Sequence, residues 1–218
     1  GMYNKRKDKI DAFGWNNEFN FGSVKLVADL NYSKATRDEL NLENNLQLTP
    51  MPQLDTVGVQ IRQNGFSQIS PGLNYSNPDA LFLTNTIYGS GYGKVPKVED
   101  RLKGGKLAAT IALPEAMASW APDLDIGVNY ADRRKVKTQS EGNILLGAQG
   151  DANIAADLQY DPVNLGFAGL GTIPAWNVPA AVARYMTFDP VDNLDYLIPK
   201  SWTVQEKITT AWARLNIN

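Results

Sequence analysis

The side chains best able to do chemistry are one glycine-rich stretch, a scatter of carboxylates and a cluster of bases. Tyr88-Gly89-Ser90-Gly91-Tyr92-Gly93-Lys94 has the composition of a phosphate-cradling loop. Such a loop needs a strand before it and a helix after it, and Lys94-Val95-Pro96-Lys97 does not start a helix. The stretch therefore reads as a flexible surface loop. Tyr88 and Tyr92 could stack on a sugar or an aromatic ligand. Together with Trp176 they are the candidate ligand-binding residues, while Trp176 and Trp202 read equally well as packing residues.

Glu99, Asp100, Asp123, Asp125, Asp151, Asp157, Asp189 and Asp192 could supply a carboxylate pair for glycoside hydrolysis, but no spacing selects two of them. Nor do they form a calcium-binding loop. The chain has no histidine and no cysteine. That removes a Ser-His-Asp arrangement, an imidazole base, a thiolate nucleophile, disulfides and the usual zinc sites. No catalytic residue, metal or cofactor is expected, and the chain is not expected to be an enzyme. A net charge of −2 over 218 residues gives no electrostatic sign of a nucleic-acid partner.

The elements that must carry these side chains are strands. Leu26, Ala28, Leu30 and Tyr32 alternate with polar or small residues, and so do Leu124, Ile126, Val128 and Tyr130. Alternation of this kind gives a strand one apolar and one polar face. Both runs close on Asn-Tyr and pass into charge. Residues 10–21 alternate as well, with Phe13, Trp15, Phe19 and Phe21 on one parity. The Gly22-Ser23 turn then makes a hairpin over 10–36. A second hairpin is expected over 102–137 and a last strand over 202–217. Between them lie connections of about 60 residues each, 39–98 and 139–200, far above ordinary loop length.

The fold class expected is mainly β: an antiparallel meander of about five long strands with two long, partly structured loops. No run approaches the roughly 18 apolar residues of a membrane helix. A wall of alternating strands with short turns on one side and long loops on the other is instead the pattern of an outer-membrane barrel. In that setting Tyr32, Tyr130, Phe13 and Trp15 form an aromatic girdle. Lys34, Arg37, Arg133 and Arg134, with Lys135 and Lys137, form a basic rim that pairs with lipopolysaccharide phosphates or simply ends the strands in water. Asn17 fits this wall poorly, since it shares a parity with the aromatic residues. A bulge or a different packing is expected there.

The sequence resembles a slice of a TonB-dependent receptor. The resemblance rests on Asp8-Lys9-Ile10-Asp11-Ala12, on Leu30-Asn31-Tyr32-Ser33-Lys34-Ala35-Thr36-Arg37-Asp38-Glu39, on Gly127-Val128-Asn129-Tyr130-Ala131-Asp132-Arg133, and on Lys200-Ser201-Trp202-Thr203-Val204-Gln205-Glu206-Lys207. It implies uptake of a scarce nutrient, such as a siderophore or an oligosaccharide, across the outer membrane of a Gram-negative bacterium. The chain would supply barrel wall and extracellular ligand-contacting loops. Its partners would be the small-molecule nutrient, outer-membrane lipid and, only through a plug domain not found here, the TonB complex.

Gly1 ahead of Met2 reads as a remnant of tag removal, and residues 1–218 are expected to be a single excised or truncated barrel fragment without TonB box or closing strand. Alone in water such a slice should cover its apolar face with folded-over loops or with a second copy joined through open sheet edges. The alternative is a soluble β-sandwich carbohydrate-binding module. A glycoside-processing enzyme is a third reading.

Overall fold

The computed structural model describes residues 1–48, 54–191 and 194–217. Two long strands open the chain, β1 (Met2–Phe21) and β2 (Val24–Asn44). Four short ones follow: β3 (Leu46–Leu48), β4 (Val57–Gln60), β5 (Gln68–Pro71) and β6 (Leu81–Leu83). The long strands β7 (Gly91–Ala112) and β8 (Asp123–Leu146) flank a one-turn helix, α1 (Glu115–Ala118). Then come β9 (Ala152–Asn153), β10 (Gln159–Asn164), β11 (Thr172–Trp176), helix α2 (Val178–Tyr185), β12 (Met186–Pro190) and β13 (Trp202–Asn216).

The protein is mainly β, built from antiparallel sheets with long strands. The main sheet has the order β1-β2-β7-β8; β12 pairs with residues 142–146 of β8 and β13 with residues 123–137. The sheet is open and does not close into a barrel. The chain condenses into two compact units. One comprises Gly1–Lys5, Glu39–Val95 and Ser140–Ile198; the other comprises Arg6–Asp38, Pro96–Gln139 and Pro199–Asn218.

In the second unit, one register organises the first hairpin. Gly22 turns the chain with φ +62°, a conformation that suits glycine. Asn16 donates to Asp29 at 3.1 Å and Arg37 to Asp8 at 2.8 Å. In the first unit, the Asn44 N–H reaches the Gly1 carbonyl at 2.9 Å. All three pairs keep the offset that the turn sets. The bulge expected near Asn17 is therefore absent. Asn17 instead folds its side-chain oxygen back to accept its neighbour's amide, the Glu18 N–H, at 2.9 Å, so the polar group has a partner inside a wall of aromatic residues.

The offset puts Phe13 opposite Tyr32 and Trp15 opposite Leu30. Along β2 and β7, Ala112 N–H to the Ser23 carbonyl (2.8 Å) and Asn45 N–H to the Ser90 carbonyl (2.8 Å) also share one offset, which sets Leu30 opposite Gly105. On the far side, Val128 faces Ala211, Ile126 faces Ala213 and Leu124 faces Leu215. Opposed residues share a face, so the apolar positions of all five strands line one side of the sheet.

The opposite side is polar. Asp125, 6% exposed, accepts from Thr110 Oγ1 at 2.6 Å and from Arg214 Nε at 3.0 Å. Arg133 clasps Asp100 with two bonds of 3.0 and 2.6 Å. The Arg133–Asp100 pair lies where apolar alternation ends, and it carries the ladder on. Hence the strands outrun the expected hairpins over 10–36 and 102–137, reaching 2–44 and 91–146. The Gly91-Tyr92-Gly93-Lys94 half of the supposed loop belongs to β7. A Cβ on Gly91 would collide with the Glu43 carbonyl, so this glycine serves close strand approach and not flexibility.

Within the second unit the apolar face is partly exposed among the described residues. Leu26 and Leu124 are half-buried, but Leu30 is 54% and Val128 40% exposed. In the first unit the core is small: Leu83, Ile154, Leu158 and Ala181, with Trp176 and Tyr185 packed against it. Leu83→Ala should destabilise the protein by about 2–5 kcal/mol, because Leu83 is fully buried there. Leu54→Ala, at a 96% exposed position, should stay within about 0.5 kcal/mol. Denaturant melts of the two variants measure the contrast.

Candidate functional site

An open cavity of about 710 Å³ lies within the first unit. That is within the size range of small-molecule sites, roughly 300–1,000 Å³. Its walls come from short elements that the chain brings together through side-chain bonds. The β3-β6-β9 sheet is one wall: Leu46 pairs with Leu83, and the Asn153 side chain ties β9 to the Leu81 carbonyl at 2.8 Å. The β4–β5 hairpin sets Val59 against Ile69. Gln68 of β5 donates to the Phe167 carbonyl at 2.6 Å, and Phe66 meets Phe167 edge to face at 5.0 Å. β11, paired with β10, brings Trp176 to the cavity. Trp176 is placed by the start of α2, where Asn177 caps the helix by accepting the Ala180 N–H at 3.1 Å and Pro179 stands in the first turn. Arg184, near the helix end, grips Asp157 at 2.8 and 2.6 Å and holds that carboxyl below the usual range.

Aromatic and aliphatic side chains supply most of the cavity wall, with Tyr75, Tyr88 and Trp176 as its rings. Its polar atoms are unusual. Asn44 is 0% exposed, and neither its Nδ2 nor its Oδ1 has a hydrogen-bond partner; the same is true of Gln47 Oε1 and Trp176 Nε1. All three side chains line the cavity. A buried polar atom left unpaired costs about 1–3 kcal/mol, and four such atoms belong to side chains that line this one cavity.

Charge is nearly absent. Asp55 is the only charged side chain among the described residues lining the cavity. Both of its oxygens are engaged, by the Gly72 N–H and the Tyr75 hydroxyl, each at 2.9 Å. Burial pulls the Gly1 amine down to about 6, against the opposing pull of Glu43.

Of the expected ligand contacts, Tyr88 and Trp176 meet in this cavity. Tyr92 does not: its hydroxyl donates to buried Glu141 at 2.7 Å and its ring lies 5.6 Å from the Lys94 ammonium. Trp202 pairs with Lys135 at 6.0 Å. The girdle candidates Phe13, Trp15, Tyr32 and Tyr130 fall in two neighbouring rows on the apolar face. Tyr32 and Tyr130 are not on adjacent strands, because β7 runs between β2 and β8.

The basic rim divides. Lys34 pairs with Glu99 at 2.8 Å. By strand parity Lys34 and Arg134 lie on the apolar side, and Arg37 and Arg133 on the polar side with Asp8 and Asp100. Of the acidic residues, Glu99, Asp100, Asp125 and Asp157 each have a basic partner, Asp123 and Asp125 both accept from the Asn216 amide, and Asp192 lies outside the described residues. Among the described residues no three His, Cys, Asp or Glu side chains come together as a metal site.

Asn44, Gln47, Asp55 and Tyr75 were invisible as site residues in the sequence. Their only signal was the Asn- and Gln-rich composition of the first long connection. No protein-family model matches this chain, and no curated protein or solved structure matches it either.

The Asp55–Tyr75 pair has a titration signature. Burial, then the hydrogen bond to Asp55 and its charge, raises the Tyr75 pKa above the ordinary tyrosine value. The folded state prefers neutral Tyr75, so this contribution to stability is complete below about pH 10 and disappears as pH climbs through the raised value. In an alkaline ultraviolet titration, read as the difference from the matching Tyr75→Phe protein, the Asp55→Asn variant should lower the Tyr75 pKa.

Proposed function

We propose that this chain forms wall and ligand-contacting loops of a TonB-dependent outer-membrane receptor for a scarce small-molecule nutrient. The observation that carries the reading is the two-faced main sheet. One face exposes Phe13, Trp15, Leu30, Ile126, Val128 and Tyr130, while the other holds Asp125, Arg214, Asp100 and Arg133 in ion pairs. Lipid outside and a polar lumen inside require that arrangement.

Dimensions support it. Apolar alternation covers residues 24–32 of β2 and 124–130 of β8, near the ~9–11 residues a tilted strand needs to cross a bilayer. Aromatic side chains border the band at both ends: Phe13, Tyr32, Trp15 and Tyr130 at one, stacked Phe19 and Phe21 (6.2 Å) at the other. The strand β1 is a free edge, which a neighbouring wall strand would satisfy. A sandwich module would instead bury the apolar face against a second sheet, and Leu30 at 54% exposure speaks against that. In a receptor, the cavity among the long connections is the place for ligand.

Vesicle flotation of the refolded chain tests the reading. The protein should float with outer-membrane lipid. Ile126→Arg or Val128→Arg should each weaken insertion by about 2–4 kcal/mol, whereas Asn129→Arg, on the opposite face, should leave it nearly unchanged. A chain that stays in the aqueous layer, or equal effects on both faces, would overturn the proposal.

A further inference from the structure

We infer that the cavity in the first unit takes a neutral small molecule with a flat, mainly apolar body and one edge bearing both hydrogen-bond donors and acceptors. Three properties of the wall lead there. The first is shape and polarity: aliphatic side chains such as Val57, Ile69, Leu81 and Ile173 surround the rings of Tyr75, Tyr88 and Trp176. A flat apolar body gains most from such walls.

The second is the set of unpartnered atoms. Asn44 Nδ2 and Trp176 Nε1 are N–H groups and Asn44 Oδ1 and Gln47 Oε1 are acceptors, all four buried behind the cavity surface, and a ligand gains them when those side chains turn toward it. An amide or hydroxyl on the ligand edge satisfies both kinds, and a purely hydrocarbon molecule satisfies neither. The third is charge. Asp55 has both oxygens engaged, the Gly1 amine already donates to the Asn44 carbonyl, and no lysine or arginine is among the described residues lining the cavity. A multiply charged ligand, a ferric siderophore included, would lose its hydration without gaining a counter-ion. An oligosaccharide carries polar groups on every side and would leave many of them against aliphatic walls. The inference rests on the receptor reading only in regarding the occupant as a nutrient; the chemistry of the cavity comes from its own residues.

Three probes with one ring system separate the terms: 2-naphthamide, 2-naphthoate and naphthalene. Each is titrated calorimetrically into the full chain, both in lipid nanodiscs, with empty discs as blank, and in aqueous buffer. 2-Naphthamide should bind at least about tenfold more tightly than either of the others, as expected when buried polar atoms gain partners. The advantage over naphthalene should vanish in Asn44→Ala and shrink in Trp176→Phe, which keeps the ring but loses the N–H. If Asn44→Ala does not fold, judged by its circular dichroism and melting curve, Gln47→Ala replaces it. Naphthoate binding as tightly as the amide, or an amide advantage that survives these substitutions, overturns the inference. Failure to enter nanodiscs with amide-selective binding retained in buffer removes the receptor reading and leaves the ligand class standing. Insertion without amide selectivity does the reverse.

Discussion

In an antiparallel sheet, slipping one strand by a single residue carries its entire set of side chains to the other face. The two-faced character of this protein therefore hangs on the register of β1, β2, β7 and β8. It is held from the Gly22 turn by backbone bonds at both ends, and between them by cross-strand polar pairs such as Asn16–Asp29 and Asp8–Arg37. These pairs are exposed, and each adds little stability by itself. Their value is that they are satisfied in one register only. Asn17 shows the same economy: its side chain answers the adjacent amide, so a polar residue enters an aromatic row without disturbing the ladder.

The first unit works by different means. Its strands are short and its core holds few residues, so side-chain bonds to backbone carbonyls do much of the positioning. Asn153 to Leu81, Gln68 to Phe167 and Gln149 to Tyr185 (2.6 Å) each close a gap between segments distant in sequence. Glutamine and asparagine suit this task because their amides satisfy carbonyls without burying charge. The same residue types, with both side-chain polar atoms of Asn44 and the Oε1 of Gln47 left unpaired, also line the cavity. One composition thus serves both scaffold and site.

Much of the sheet was legible from alternation alone. Leu26 to Tyr32 and Leu124 to Tyr130 declared their faces because apolar side chains repeat every second residue. The strand extensions 37–44, 91–101 and 138–146 were not legible, since charged residues carry no periodic signal until their partners across the ladder are known. Arg133 and Asp100 make a pair only when β7 lies beside β8. Gly91 and Gly93 suggested looseness, yet Gly91 permits close approach to the Glu43 backbone and Gly93 leaves room for the Phe188 and Ile144 side chains. Tyr88 and Trp176 were recognisable as aromatic candidates, whereas nothing linked them to Asn44 or Tyr75.

The mainly β class, the two apolar strand faces, the hairpin turn at Gly22-Ser23 and the exclusion of imidazole and thiolate chemistry can all be read from residue order. These follow from local rules: side-chain alternation, turn geometry and the inventory of reactive groups. Tertiary structure alone decided which strands neighbour one another, which bases already have carboxylate partners and which aromatic rings share a cavity. Those outcomes depend on pairings across 20 to more than 100 residues, and no local pattern encodes them because each partner is chosen by the register of strands far away in the chain.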